Sequence, residues 1–140
     1  MSVLEKPAQF ALAGNAVFTL VSIKTGTRFT FKVRAAEQGP MHFVSVLTGP
    51  DNTSDFAYFA YFGFLRRGVF FHGGQKARVG KDAPSVKAFD WFWRHMAQGD
   101  DVSTLVEVHH EGRCGRCGRA LTVPESIKSG FGSECIGKVF

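Results

Sequence analysis

Cys114, Cys117 and Cys135 are the only cysteines of the chain, and all lie near its C-terminus. The first two sit in Gly112-Arg-Cys-Gly-Arg-Cys-Gly-Arg119, just after His109 and His110. Zinc takes four thiolate or imidazole ligands at tetrahedral geometry. A Cys-x-x-Cys turn curls two sulfurs onto one ion, and Gly115 and Gly118 give the backbone the freedom to do so. Cys135 is the expected third ligand. So short a segment cannot build a core of its own, and the metal would be structural, holding the segment together.

The fourth ligand is read from the spacing upstream. His110, four positions before Cys114, is favoured, and His109 is the alternative. If Val106 and Val108 face a core, His110 shares their side of the strand and His109 points away. Glu111 or water would be further choices, and a water ligand would leave an open metal position. The order of knuckle, short hairpin and helix start resembles a treble-clef or ribbon-like finger.

Other reactive side chains form no constellation. His109-His110-Glu111 followed by Cys114 and Cys117 imitates a zinc deaminase, but those enzymes carry the two halves on separate helices. Ser85, Ser103, Ser126 and Ser129 lack a nucleophile elbow. No phosphate-binding or dinucleotide loop is present. Asp51 and Asp55 are explained by turn formation, and His42, His72 and His95 by packing or exposure. The expectation is a non-enzymatic protein with no catalytic residues.

Charge points to a partner. Lys and Arg number 17 against 12 Asp and Glu, for a net charge of +5. Such a balance favours acidic partners, nucleic acid first. Arg113, Arg116 and Arg119 flank the metal knuckle, where rigid arginines can fork onto phosphates. Arg66, Arg67, Lys76, Arg78 and Lys81 form a second basic stretch. DNA or RNA, single-stranded or duplex, is the expected partner. The aromatics between Phe56 and Phe64 could stack on bases, but a phenylalanine-rich strand more often belongs to a core. Without an apolar span or an export signal, the expected setting is a reducing cytoplasm.

The elements that must position these groups are mostly strands. Ala16–Ser22 is β-rich. Thr27–Arg34 alternates strictly, with Phe29, Phe31 and Val33 on one face and Arg28, Thr30, Lys32 and Arg34 on the other. Met41–Leu47, Phe56–Phe64 and Val69–His72 continue the pattern, with Arg66-Arg67-Gly68 turning the chain. Residues 1–14 read as a lead-in. A helix is expected over 84–98, capped at Asp82 or Ala83, with Val86, Phe89, Phe92, Trp93 and Met96 on its packed face. Leu105–His109 is a last short strand. The architecture is α+β: an antiparallel sheet of about five strands covered by one amphipathic helix over 1–104. A zinc-stapled module follows over 105–140.

The stretch Cys114-Gly-Arg-Cys-Gly-Arg-Ala-Leu-Thr-Val-Pro-Glu-Ser and on to Gly130-Phe-Gly-Ser-Glu-Cys135 resembles a C-terminal signature of short, largely uncharacterised proteins. These occur in bacteriophages, plasmids and bacteria, often beside replication or DNA-handling genes. Thr25-Gly-Thr-Arg-Phe-Thr-Phe31, Leu47-Thr-Gly-Pro-Asp-Asn52 and Ala83-Pro-Ser-Val86 with Phe89 and Trp91-Phe-Trp93 share the likeness. In that pattern the third cysteine follows Gly-Pro-x; Ser133 stands here in place of the proline. The resemblance implies a structural zinc finger in a phage or mobile-element protein, and implies no activity; in that setting the alternative partner is a host protein, bound and inhibited or redirected through the same positive surface.

Overall fold

The computed structural model describes residues 2–3, 7–37, 39–48, 59–110 and 116. The finger expected over 105–140 lies outside these residues, apart from its first six and Arg116. So do the Asp51–Asp55 loop and Tyr58.

The chain opens with a two-residue strand, β1 (Ser2–Val3), and a single helical turn, α1 (Pro7–Ala11). β2 (Asn15–Ser22), β3 (Arg28–Ala35), β4 (Met41–Leu47), β5 (Phe59–Arg66) and β6 (Val69–His72) follow. A 3₁₀ turn (Gly74–Lys76) leads toward α2 (Pro84–Ala97), and β7 (Val106–His110) comes last. The strands make one sheet in the order β1-β7-β2-β3-β4-β5-β6, and every pairing is antiparallel.

The sheet is wider than the five strands expected. β7 pairs with β2, and β1 pairs with the far side of β7. The lead-in is also structured: α1 drives Phe10 and Ala11 into the core, both 1% exposed. Five residues are too few for a helical period to show in the sequence.

α2 lies on one face of the sheet, in the connection from edge strand β6 back to β7. Pro84 occupies its first turn, where a missing N–H costs nothing. Ala83 stands at the cap position with no side-chain hydrogen bond, so Asp82 does not cap the helix. Val86, Phe89, Phe92 and Trp93 are buried as their spacing predicts, while Met96 is only partly buried against the core. Phe89 is the hub. Its ring centroid lies 5.2 Å from Phe31, 5.7 Å from Phe62 and 5.2 Å from Phe70. Trp93 stacks on it at 5.9 Å. Truncating such a ring to alanine costs about 3–5 kcal/mol.

Two local devices set which side chains reach which face. Arg67 (φ 51°) and Gly68 (φ 80°) are the two central residues of the β5–β6 hairpin, the conformation of a type I′ turn. In β5 the register shifts: Ser45 pairs with Tyr61 but Val44 pairs with Gly63, so Phe62 is an extra, bulged residue. Ala60 before the bulge, Phe62 in it and Leu65 after it therefore all face the core and are buried.

Candidate functional site

The face of the sheet opposite α2 carries the chemistry. The cross-strand register lays its side chains out in rows. One row runs Asn15, Arg34, Phe43, Phe64 and Phe71 from β2 to β6. The next runs Val17, Lys32, Ser45 and Tyr61. Arg28 and Arg66 mark opposite ends of the same face. The one carboxylate among the described strand residues of this face is Glu107, whose Oε2 lies 3.3 Å from His109 Nε2.

The aromatics on these rows touch one another. Phe43 meets Tyr61 edge-on at 6.2 Å, and Phe64 stacks with Phe71 at 5.5 Å. The Lys32 ammonium lies 5.6 Å from the Phe59 ring centroid, within cation–π range. Between them is a cleft of about 680 Å³, lined by Lys32, Arg34, Phe43, Phe59, Tyr61 and Lys76 among others. That is the size of a pocket for a small organic molecule, ~300–1,000 Å³. Lys32, Arg34 and Lys76 form no ion pair among the described residues. Burial pushes the Tyr61 phenol above its ordinary pKa, so it stays neutral in the cleft.

Lys76 is brought to the cleft by a clamped loop. The Gly74 N–H donates to His72 Nδ1 at 3.0 Å. His72 Nε2 therefore carries the proton and donates to the Val79 carbonyl at 2.9 Å. The Arg78 N–H donates to the Tyr61 carbonyl at 2.8 Å, tying the same loop to β5. His72, read from sequence as packing or exposure, is thus the loop's anchor.

The basic residues nominated from sequence fall in several places. Lys76 lines the cleft. Arg66 shares its face, paired with Met41. Arg67 occupies the hairpin turn, and Arg78 and Lys81 are exposed on the way to α2. The Arg116 carbonyl accepts from Asn15 Nδ2 at 3.2 Å. Since Asn15 pairs with Arg34, Arg116 stands at the Arg34 end of the sheet. Arg113 and Arg119 lie outside the described residues. Sequence reasoning did not nominate Lys32, Arg34 or Phe43. The signal was the three-cation alternation of β3, which says what the face carries but not what lies beside it.

The two histidines upstream of the Cys114-x-x-Cys117 pair separate as the strand period requires. His110 shares the core face with Val108, is 1% exposed and packs 6.0 Å from the Phe10 ring. His109 lies on the opposite face, paired with Thr19. Its Nδ1 is buried without a hydrogen-bond partner among the described residues, while Nε2 faces Glu107. An imidazole with one nitrogen held by a carboxylate and the other left bare fits a metal ligand. The three cysteines lie outside the described residues. Among those that are described, no three His, Cys, Asp or Glu side chains gather into a metal site.

Residues 107–140 match a family of unknown function, DUF6011. The matched stretch begins on β7 and takes in His109, His110 and all three cysteines. It covers a minor part of the chain and carries no activity with it. No curated protein and no solved structure matches the chain. No helix among the described residues is long and apolar enough to cross a membrane.

Proposed function

We propose that this chain is a small, basic, zinc-binding protein of a phage or mobile element that binds nucleic acid and catalyses nothing. The observation that supports it best is the open sheet face. Arg28, Lys32 and Arg34 project from alternate positions of β3, and the nearby carboxylate, Glu107, is already engaged by His109. Cations with no ion pair among the described residues release counterions from a polyphosphate and gain affinity from that release. Arg113, Arg116 and Arg119, which flank Cys114 and Cys117 in the sequence, would add their charge to the same partner.

Zinc has a structural role in this reading, held by Cys114, Cys117 and Cys135 with a histidine. Spacing favours His110 as that histidine. The bare, buried Nδ1 of His109 and the Glu107 carboxylate behind its other nitrogen support His109 instead. A metal closed by four protein ligands stiffens the segment and offers no open position for catalysis.

The test is fluorescence anisotropy with labelled single-stranded DNA, duplex DNA and RNA over a salt series, with zinc content measured on the same sample. The expected result is affinity that falls steeply with salt, by a slope of several released ions. Flat traces from folded, zinc-loaded protein would overturn the proposal. A stoichiometric, nuclease-resistant complex with a host protein would replace it.

A further inference from the structure

We infer that the open-face cleft binds single-stranded nucleic acid, with unpaired bases stacked on Phe43 and Tyr61 and the backbone held by Lys32, Arg34 and Lys76. This rests on the nucleic-acid reading above and adds to it a place and a substrate class.

Phosphate gripping alone needs cations, and cations on a polar surface serve duplex and single strand alike. Here the register interleaves them with π-faces. Arg34 is the cross-strand neighbour of Phe43, and Lys32 of Ser45, which in turn neighbours Tyr61. A duplex keeps its base faces stacked on one another and cannot offer them to a protein aromatic. A single strand offers every base face, and aromatics set in a positive groove are the general solution for holding it.

The cleft's details agree with that occupant. It has no carboxylate in its lining, so nothing repels a phosphate. The Tyr61 hydroxyl makes no hydrogen bond to the protein among the described residues. It is available to a base edge or a sugar hydroxyl. Lys32, parked over Phe59, has a long flexible stem and can swing to a phosphate without disturbing the strands. His72 holds the Gly74–Lys76 turn against the sheet. Lys76 thus enters from the rim opposite the β3 cations, and a strand lying in the cleft has charge on both sides.

The experiment compares a labelled oligothymidylate with a duplex of equal length, using the full chain loaded with zinc. Tyr61→Leu and Phe43→Leu keep apolar bulk and remove the π-face. The triple change Lys32→Gln, Arg34→Gln and Lys76→Gln removes the charge. Circular dichroism and thermal melts establish that each variant folds. We expect single-strand preference in the parent chain. Each leucine variant should lose on the order of tenfold in affinity with its salt slope unchanged. The triple variant should lose salt slope. Photocrosslinking to the same oligonucleotide should label peptides carrying Phe43 or Tyr61. Tight binding with duplex preference, or with folded leucine variants binding as the parent does, would overturn the cleft while leaving nucleic-acid binding intact. No binding to any nucleic acid would remove both.

Discussion

The Tyr61 ring lies against the backbone of Gly73. A Cβ built at position 73 would come within 2.8 Å of its Cε2 and 3.0 Å of its hydroxyl oxygen. The ring's place on the cleft floor is thus set by the absence of a side chain across from it. Gly73→Ala should push the far end of the ring aside. The expected outcome is a stability change within about 1 kcal/mol with a clear loss of oligothymidylate affinity. Paired thermal melts and anisotropy titrations check it, and unchanged affinity would mean the ring position does not matter for binding.

Gly63 should be far less forgiving. A Cβ there would sit 2.5 Å from the Phe71 carbonyl oxygen and 2.6 Å from the Phe70 ring. The first of these is backbone, so neither strand can yield without opening the β5–β6 ladder. Gly63→Ala should destabilise the protein by about 1–3 kcal/mol, the usual cost of overpacking. Denaturant melts would show it as a lower midpoint.

Trp93 ties the helix to the sheet. Its indole N–H donates to the Gly68 carbonyl at 2.8 Å, at the tip of the β5–β6 hairpin. Trp93→Phe keeps an aromatic against Phe89 but gives up that bond and leaves a hole where the buried indole was larger. The loss should be about 1–3 kcal/mol, with binding by the folded fraction unaltered because the helix face is opposite the cleft.

The two histidines should separate by readout. His109→Ala should lower bound zinc in the purified protein while leaving the sheet folded. His110→Ala should leave zinc bound and lower the melting temperature, since it opens a hole beside Phe10 in the core. Zinc retained in the first variant and lost in the second would return the ligand to His110.

Tyr61 gives the protein an alkaline dependence. Burial raises its folded-state pKa above the unfolded value near 10. The unfolded chain then releases its proton first as pH rises. The phenol's contribution is fully present below the unfolded pKa and is lost as pH climbs through the folded one. Tyr61→Phe should flatten that stretch of the stability profile, as followed by thermal melts at increasing pH.

Much of this was legible along the chain. The strict alternation of β3 told which residues would be buried and which would carry charge, because a strand's period of two leaves no third choice. The stripe of Val86, Phe89, Phe92 and Trp93 told which side of the helix would pack. The same rule placed His110 inward and His109 outward once Val108 was buried. Less legible was β5, where Phe59, Tyr61, Phe62 and Phe64 are all aromatic. Its face assignment changes at the Phe62 bulge, and a bulge depends on the partner strand rather than on the strand that contains it. α1 is not legible at all, because one helical turn has no period to read.

Local sequence determined that there would be a basic strand face, an apolar helix face and a cysteine-rich end with the spacing of a zinc knuckle. It did so because side-chain direction follows from backbone period and ligand reach from residue spacing. Only the tertiary structure decided that the cations of β3 stand beside Phe43 and Tyr61, and that the His72-clamped loop brings Lys76 to the same cleft. Those neighbours are distant in sequence and meet through cross-strand register and a bulge. Register is settled by the whole sheet packing against α2, and no single segment carries that information.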